Sequence, residues 1–407
     1  MAITRICMTT TARYPTHVPF AGALFLGLVL CLASSAAAHA QTTREWRYVP
    51  GPGSELCTLG LREVPLRAPD AGEIQVRIWA SSFNGRDRYR LAGSCDDVQV
   101  PLSDGAGEVT AVGAGVTRFE VGDRVVTTFF AEGWIDGNQP PDANPYRRGG
   151  PGPGVLTEGL VGDADGFVAV PEYLTYEEAS TLTIAALTAY NALFKYGDLQ
   201  PNDYVLLEGT GGVSSFGLLF AAAAGARPVI TSSSDEKLAR AVELGAVGTV
   251  NYRRNPEWQE QVLEITGGIG VKHVLEIGGR ETLPRALQVL DFGAHVALIG
   301  GLTGFGGEVP FFVLFNKNAS VTSFQVGSRA DFETMNRFLV GHQIHPIVDR
   351  VFEFEDAVEA FDFFMNGDFM GKVVIRHCTD IPPAIYPGIR HGRTPGSDRR
   401  QYSIALR

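Results

Sequence analysis

The stretch LLEGTGGVSSFG, residues 206–217, lies between an apolar run and an alanine-rich segment. Gly209, Gly211 and Gly212 follow an expected buried strand and open an expected helix, so the chain can turn tightly and leave the N–H groups of the helix end facing an anion. This context predicts a cradle for the pyrophosphate of a dinucleotide. Ser214 stands where the usual fingerprint has its third glycine, so an ordinary tight turn before a core helix is the alternative. The predicted contact residues are Gly209, Thr210, Gly211, Gly212 and Val213.

Strand and helix patterns alternate on both sides of this turn, from residue 171 to residue 320. Buried-strand patterns such as VKHVLEIGG (271–279) are separated by helical patterns, one of which is expected over residues 281–294. This alternation predicts an α/β domain with a parallel, doubly wound sheet and right-handed crossovers.

Residues 44–170 have a different texture, with short alternating runs such as EIQVRIWA separated by Gly, Pro and Asp turns. This texture is typical of small, strongly bent β structure. Mixed texture returns in residues 321–377, which end in a strand pattern and are therefore predicted to complete the first domain. Residues 378–407 are rich in Pro, Gly and Arg without periodicity, and we expect a poorly ordered tail there.

The charge balance argues against nucleic acid as a partner, because the chain has 34 Lys and Arg against 45 Asp and Glu.

Residues 1–40 combine sparse positive charge, an uncharged apolar run and the ending SSAAAHA, which is typical of a secretory signal peptide. The expected location is therefore periplasmic or secreted. An N-terminal anchor is one alternative, since the run approaches the length of a spanning helix, and a cytoplasmic location is another.

Cleavage after Ala40 would leave Cys57, Cys95 and Cys378, and this odd, scattered set predicts no disulfide framework.

The end of the strand after the glycine turn predicts the type of dinucleotide. NAD enzymes usually place an acid there against the ribose 2′-hydroxyl. Here the strand ends in Thr231, Ser232, Ser233 and Ser234, and Lys237 follows. Hydroxyls and a lysine suit a 2′-phosphate, so NADP(H) is the predicted cofactor, with Ser233 and Lys237 as contacts. The serines can also cap the following helix, as an alternative or a concurrent role.

Four motifs occur in the same order as in medium-chain dehydrogenases/reductases: PLSDGAGEVTAVGAGVTRFEVGDRVV, EGTGGVSSFG, TSSSDEKLARAVELGA and FMGKVVI. The chain resembles that superfamily from Arg44 to Arg376, and within it the zinc-independent, quinone-oxidoreductase-like branch, often labelled NAD(P)-dependent alcohol dehydrogenase. The resemblance implies a GroES-like catalytic domain built from both ends of the chain, a central Rossmann NADP-binding domain, a cofactor cleft between them, and a homodimer.

The resemblance also locates the positions at which zinc members of the superfamily hold the catalytic metal. Asn84 takes the first ligand's place, Ser103 and Asp104 replace a His-Glu pair, and Ile184 stands at the later cysteine. These side chains offer no thiolate or imidazole, so no metal site is predicted.

Without a metal, a carbonyl oxygen that gains charge during hydride transfer must be stabilised by hydrogen bonds. Asn84, Asp87 and Tyr89 match the family segment that lines the nicotinamide side of the cleft, and Tyr89 or water could deliver a proton. Alternatively, Asp87 forms a structural salt bridge with Arg86 or Arg88, and Tyr89 is packed aromatic surface.

The resemblance places further residues near the dinucleotide. The glycines among them can instead serve turns alone, and the lysine can be a solvated residue at a strand edge. These residues are Thr188, Tyr252, Gly278, Gly300, Gly327, Ser328 and Lys372.

The sequence therefore favours an NADPH-dependent, zinc-independent reductase acting on a small-molecule quinone, α,β-unsaturated carbonyl or simple carbonyl. The alternative is an NADPH-binding sensor or redox-responsive protein with little turnover.

Overall fold

The computed structural model describes residues 41–51, 57–91, 99–132, 134–306, 308–377 and 390–391. The predicted signal peptide and all but two residues of the predicted tail lie outside these ranges. Within them, no helix combines the length and the apolar character that crossing a bilayer requires.

Sixteen strands are described, and they form three sheets. The strands are β1 (Thr42–Pro50), β2 (Cys57–Pro65), β3 (Glu73–Ser82), β4 (Asp104–Val112), β5 (Arg124–Thr127), β6 (Gly159–Asp163), β7 (Phe167–Ala169), β8 (Tyr204–Leu207), β9 (Arg227–Ser232), β10 (Gly248–Asn251), β11 (Val271–Glu276), β12 (Leu290–Leu298), β13 (Ser320–Ser323), β14 (Val348–Glu353), β15 (Lys372–Arg376) and β16 (Arg390–His391).

Ten α-helices are described along the same residues. They are α1 (Asp87–Leu91), α2 (Tyr176–Ala179), α3 (Leu187–Tyr190), α4 (Gly212–Ala223), α5 (Asp235–Glu243), α6 (Trp258–Ile265), α7 (Leu283–Ala286), α8 (Phe311–Lys317), α9 (Arg329–His342) and α10 (Ala357–Asn366).

The central sheet has six parallel strands in the order β10-β9-β8-β11-β12-β13. The order reverses between β8 and β11, the point at which open α/β sheets bind ligands beyond the carboxyl ends of their strands. Its strands are apolar because both faces are covered; Leu206 packs on one side of the sheet and Leu207 on the other. The predicted doubly wound parallel sheet is confirmed, and it extends through Ser323, just past the predicted boundary.

The second large sheet is built from both ends of the chain, as the GroES-like prediction requires. The strand β15, near the end of the described chain, pairs antiparallel with β3 through Val374 and Ser82. The strands β4, β5 and β7 continue the sheet on one side, and β14 and β16 on the other. A separate hairpin, β1 and β2, packs Trp46 against Phe354. The predicted fold class is therefore confirmed.

The helix expected over residues 281–294 is wrong in its second half. The helical segment ends at Val289, and Leu290 already pairs with Val271 as the start of β12. Gly293 has a φ of 74°, a left-handed conformation that a continuing α-helix does not contain. The apolar residues that read as one helical face are therefore the buried start of a strand.

Cys57 is disulfide-bonded, although the cysteine spacing predicted no disulfide framework. The other four cysteines of the chain lie outside the described residues.

Candidate active site

The glycine turn predicted from the sequence lies at the carboxyl end of β8. Gly209 has a φ of 70°, which a side chain would strain, and Gly211 is the N-cap of α4. A Cβ at Gly209 or Gly211 would meet no atom of the described chain within 4 Å, so the space beside the turn is open there. An open turn with a helix N-terminus behind it fits a bound pyrophosphate.

Hydrogen bonds from three directions hold this turn in place. Gly209 N donates to Thr231 Oγ1 at 3.1 Å, which ties the turn to β9. Ser214 Oγ donates to the carbonyl of Glu208 at 2.6 Å. Gly371 N, just before β15, donates to Thr210 O at 2.9 Å. The last contact joins the parallel-sheet domain to the strand that carries Lys372.

Gly212 brings α4 against the side chain of Lys372. A Cβ at Gly212 would lie 2.9 Å from Lys372 Cδ and 3.1 Å from the Cβ of Ala185, closer than real side chains pack. Gly212 is therefore required by close packing as well as by the turn. Val213, the last predicted residue of the cradle, is half-buried against the core on the same helix.

Lys372 is a buried cation. The alternative considered from the sequence, that it is a solvated lysine at a strand edge, is therefore wrong. Its side chain is 3% exposed. Nζ donates to Phe83 O at 2.5 Å and to Asn84 Oδ1 at 2.8 Å, and lies 3.5 Å from Asp104 Oδ2. Burial lowers the pKa of Lys372, while the charge of Asp104 acts in the opposite direction.

The positions that align with zinc ligands form one connected group around this ammonium. Asp104 Oδ1 accepts from Ser103 Oγ at 2.9 Å, and Asp104 Oδ2 accepts from Ile184 N at 3.2 Å. Asn84 and Asp104 both contact Lys372 Nζ. The carboxylate of Asp104 is the one usual zinc ligand in this group, and it is engaged by Lys372 Nζ and Ile184 N. An ammonium, an amide, a hydroxyl and an alkyl group do not complete the ligand set that zinc prefers, so these residues do not fit the metal.

Asn84 is left with one unused donor in this group. Because Oδ1 accepts from Lys372, the orientation of the amide is fixed and Nδ2 points away from the ammonium. Nδ2 is buried and has no hydrogen-bond partner among the residues that the structure describes. A buried donor without a partner carries a desolvation cost, and such a group is most easily understood as one that a ligand satisfies.

Asp87 supports Asn84 from the first turn of α1. Its Oδ2 accepts from the backbone N–H of Asn84 at 2.7 Å. Burial raises the pKa of Asp87 to about 6, while the charge of Arg86 acts to lower it. The guanidinium groups of Arg86 and Arg88 donate to main-chain carbonyls of other segments. The contact of Asp87 is thus with the backbone that positions Asn84.

Tyr89 lies two residues after Asp87 on α1, and its side chain is half-exposed. Its hydroxyl donates to Gly301 O at 3.2 Å, in the segment that follows β12. Its ring lies 5.9 Å from that of Phe305. The structure therefore brings Tyr89 to the parallel-sheet side of the cleft, whereas Asn84 and Lys372 are on the β-rich side.

The serines and Lys237 lie at the end of β9, as the sequence predicted. Ser234 caps α5 by accepting from Lys237 N at 3.4 Å, so the capping role exists. Lys237 Nζ forms an ion pair with the exposed Asp368. Ser233 is half-buried between the strand and the cap, and exposed Tyr252 donates its N–H to Ser232 O at 3.1 Å.

The remaining predicted contacts fall into two groups. Gly278 and Gly300 follow β11 and β12 beside the cradle, where Gly278 O accepts from Thr303 N at 2.7 Å. Gly327 and Ser328 instead begin α9; the Ser328 hydroxyl accepts from Asp331 N at 3.1 Å. Buried Thr188 lies on α3, which packs against that helix start.

Sequence reasoning missed three contributors to the site. Gly217 lets α4 approach the sheet, since a Cβ there would lie 2.7 Å from Leu207 Cδ2; its spacing after the motif was the available signal. Glu208, inside the quoted motif, is a buried acid that the prediction passed over. Asp368 pairs with Lys237 across a long sequence separation, and no local pattern indicates it.

The fold joins a GroES-like sheet to a parallel α/β sheet with a glycine turn at its carboxyl edge, and comparison with known proteins identifies the family. The family description "Alcohol dehydrogenase GroES-like domain" matches residues 70–172, and "Zinc-binding dehydrogenase" matches residues 212–341. A zinc-type alcohol dehydrogenase-like protein of Schizosaccharomyces pombe is 39% identical over 329 residues, covering 77% of this chain and 93% of the relative.

Two further similarities extend the comparison. The crystal structure of a putative alcohol dehydrogenase from Sinorhizobium meliloti 1021 has 38% identity and a TM-score of 0.77, covering 83% of this chain and 99% of that one. A quinone oxidoreductase-like protein 2 homolog of Nematostella vectensis is 25% identical over 319 residues, covering 74% of this chain and 81% of the relative.

The chain belongs to the alcohol dehydrogenase group of the medium-chain dehydrogenase/reductase superfamily, which confirms the resemblance seen in the sequence. It is an oxidoreductase of that type. The zinc in the family description has no matching ligand set at Asn84, Ser103, Asp104 and Ile184 of this chain.

Proposed function

We propose that this protein is an NADPH-dependent, zinc-independent oxidoreductase that transfers a hydride to a carbonyl, an α,β-unsaturated carbonyl or a quinone. The observation that carries the proposal is the unpaired, buried Nδ2 of Asn84, held in orientation by Lys372 at positions where zinc relatives bind metal. Asn84 supplies by hydrogen bonding the stabilisation that a metal would otherwise supply to a developing oxyanion.

The open turn at Gly209 and Gly211 would hold the pyrophosphate of NADPH, with Thr210, Gly212 and Val213 completing the cradle. NADPH bound there would supply a hydride for the electrophilic carbon of the substrate. Asn84 Nδ2 would donate a hydrogen bond to the substrate oxygen as negative charge develops on it, and the Tyr89 hydroxyl or water would supply the proton.

Lys372 acts as a positioning residue in this proposal. All of its N–H groups face acceptors of the protein, namely Phe83 O, Asn84 Oδ1 and Asp104 Oδ2. It therefore cannot donate to substrate without giving up one of these contacts. Its positive charge nevertheless lies beside the oxygen binding point, where it favours a developing negative charge.

A substrate panel tests the proposed activity. Quinones, enals and aldehydes are each incubated with NADPH, and absorbance decay measures turnover. NADPH binding without turnover on any of them would favour the alternative, a sensor or redox-responsive binding protein.

The matched variants Gly211→Val and Gly341→Val distinguish an effect on the cofactor cradle from an effect on folding. Both glycines have open space around the Cβ position, but only Gly211 borders the cradle. Gly211→Val is expected to weaken NADPH binding at least about tenfold, and Gly341→Val to leave it unchanged.

We expect Lys237 to increase the preference for NADPH over NADH, and Asp368 to reduce that preference. Wild type should bind NADPH at least about tenfold more tightly than NADH, or about 1.4 kcal/mol. Lys237→Ala should narrow that gap, since a 2′-phosphate loses its cation. Asp368→Asn should widen it, because the ammonium is released from its ion pair. Equal affinities for both cofactors in wild type, measured by fluorescence titration, would contradict the NADP assignment.

We further propose that two copies associate through α8 and the edge strand β13. Phe311, Phe312 and Phe315 are 69%, 70% and 68% exposed on α8, and their rings lie against one another as an apolar patch of the kind that marks protein interfaces. A variant in which Phe311, Phe312 and Phe315 are all replaced by Ser should sediment as a monomer. The control Phe292→Ser, at an exposed position on β12, should remain dimeric. A monomeric wild type would contradict the proposal.

Export remains our proposal for the location of the protein. It is supported by the signal-like residues 1–40 and by the disulfide at Cys57, since disulfides persist in oxidising compartments. Mass spectrometry of the N-terminus should find Gln41 first. Intact residues 1–40 on cytosolic protein would reverse the assignment.

A further inference from the structure

Two buried glutamates lie side by side directly behind the glycine turn. Glu208 follows the last residue of β8 and Glu276 ends β11, and these neighbouring strands pair through Leu207 and Leu275. Glu208 is 6% exposed and Glu276 is 0% exposed. Neither glutamate has a part in the hydride transfer described above, so two acids are buried at the cofactor edge of the sheet without an assigned role.

Each glutamate uses one oxygen to hold the loop that follows β11. Glu208 Oε2 accepts from Ile277 N at 3.1 Å and from Gly278 N at 3.2 Å. Glu276 Oε1 accepts from Gly279 N at 2.7 Å and from Thr282 Oγ1 at 2.5 Å. Glu208 thereby links the glycine turn of β8 to the loop that contains Gly278.

The second oxygens of the two carboxyl groups, Glu208 Oε1 and Glu276 Oε2, are buried and accept no hydrogen bond from any residue that the structure describes. The two carboxyl groups lie side by side, because they bind the consecutive amides of Ile277, Gly278 and Gly279. A proton on one of the free oxygens would give the other a donor. Two adjacent, desolvated carboxylates cannot both be ionised without strong repulsion.

We infer that Glu208 and Glu276 share one proton, and that this proton clamps the glycine turn to the β11–α7 loop and so positions both for the cofactor. The inference rests on the proposed function, since the cofactor is placed at these loops. Loss of the proton places two negative charges behind the turn, pushes the loops apart, and adds negative charge near the bound pyrophosphate. Cofactor affinity therefore falls as the pair ionises.

Burial and the adjacent Glu276 raise the pKa of Glu208 well above its usual range. Other charged groups on the surrounding elements are engaged elsewhere. Arg280 donates to Phe305 O, Arg285 pairs with Glu257, and His273 contacts Asp203 near the opposite ends of the strands. The α4 and β9 neighbours, Ser214 and Thr231, are uncharged. No described cation thus offsets a second charge on the pair.

The sign of the pH dependence follows from the raised pKa. The stabilisation by the shared proton is fully present below the unfolded pKa of about 4.3 and is lost as the pH rises through the folded pKa of Glu208. Once the ionised form dominates, the dissociation constant for NADPH should rise about tenfold per pH unit.

The test compares wild type with Glu208→Gln over the neutral to alkaline range. A glutamine keeps the acceptor for Ile277 N and Gly278 N, and its amide donates to Glu276 in place of the shared proton. We expect Glu208→Gln to bind NADPH as wild type does at neutral pH and to lose the alkaline weakening. Glu208→Leu, which lacks the acceptor, should bind weakly at every pH. Glu178→Gln, a change at another buried carboxyl far from the cradle, should keep the wild-type profile.

Two measurements on protein without cofactor keep this inference separate from the proposed function. The C=O stretch of protonated carboxylic acids at neutral pH should be stronger in wild type than in Glu208→Gln, since the contribution of Asp87, with its pKa of about 6, is the same in both proteins. Thermal unfolding of wild type should weaken toward alkaline pH relative to Glu208→Gln. If NADPH fails to bind but both signals appear, the proposed function is wrong and the shared proton stands. Identical pH profiles of wild type and Glu208→Gln, or an acid stretch of equal strength in the two proteins, would overturn the inference.

Discussion

Replacing Asn84 by alanine is expected to lower turnover about a hundredfold or more, the loss seen when one oxyanion donor is removed. The affinity for NADPH should stay close to that of wild type, since the cradle at Gly209 and Gly211 is built by another part of the chain. The loss of turnover is expected because Asn84 Nδ2 is a buried donor without a partner among the described residues, and Lys372 fixes its orientation. Stopped-flow hydride transfer and NADPH fluorescence titration measure the two quantities separately.

Tyr89→Phe is the matched comparison for this variant. The Tyr89 hydroxyl donates to Gly301 O, whereas the Asn84 amide contacts Lys372. If Tyr89 only delivers the proton after hydride transfer, the single-turnover hydride step should be little changed in Tyr89→Phe, while Asn84→Ala slows it. An Asn84→Ala protein with wild-type hydride transfer would exclude the amide as the oxyanion donor. A large loss in Tyr89→Phe alone would transfer that role to the tyrosine.

Lys372→Met is expected to give the largest loss of stability. Lys372 and Asp104 are 3% and 0% exposed in their side chains, so the substitution leaves a buried carboxylate without its cation. Removing one partner of a buried ion pair typically costs about 3–5 kcal/mol of the free energy of unfolding. Turnover should fall as well, because Asn84 Oδ1 loses the donor that fixes the amide. Denaturant unfolding and steady-state kinetics measure the two effects.

The double variant Lys372→Met with Asp104→Asn separates charge from packing. Neutralising Asp104 removes the unpaired charge, so much of the lost stability should return while turnover stays low. Lys195→Met breaks the more exposed pair with Asp331 and should cost less than about 1 kcal/mol. A Lys372→Met protein as stable as wild type would show that the ammonium is not the charge partner of Asp104.

The fold could be predicted where the pattern was local. The strand, glycine turn and helix around Gly209 and the alternation that follows were sufficient for the parallel sheet, because each element shows its own periodicity. The helix predicted over residues 281–294 failed because a short apolar run suits a buried strand as well as a helix. Gly293, which adopts a left-handed backbone, was the local signal against a continuing helix.

The site could be predicted less completely, because its decisive contacts join distant parts of the chain. Lys372 and Asn84 are 288 residues apart in sequence, and their hydrogen bond exists only when β15 lies beside β3. The motifs identified both residues, but they predicted Lys372 as a cofactor contact and predicted no protein partner for the Asn84 amide. The ion pair of Lys237 with Asp368 depends in the same way on tertiary structure.

Metal content measured together with NADPH turnover tests the central claim most directly. Purified protein is analysed for zinc by mass spectrometry, and turnover on its best substrate from the panel is measured before and after treatment with a strong chelator. We predict far less than one equivalent of zinc and unchanged turnover, because Asn84, Ser103 and Ile184 provide no thiolate or imidazole and Lys372 supplies the local positive charge. Stoichiometric zinc that is lost together with activity on chelation, and restored with it, would contradict the zinc-independent mechanism.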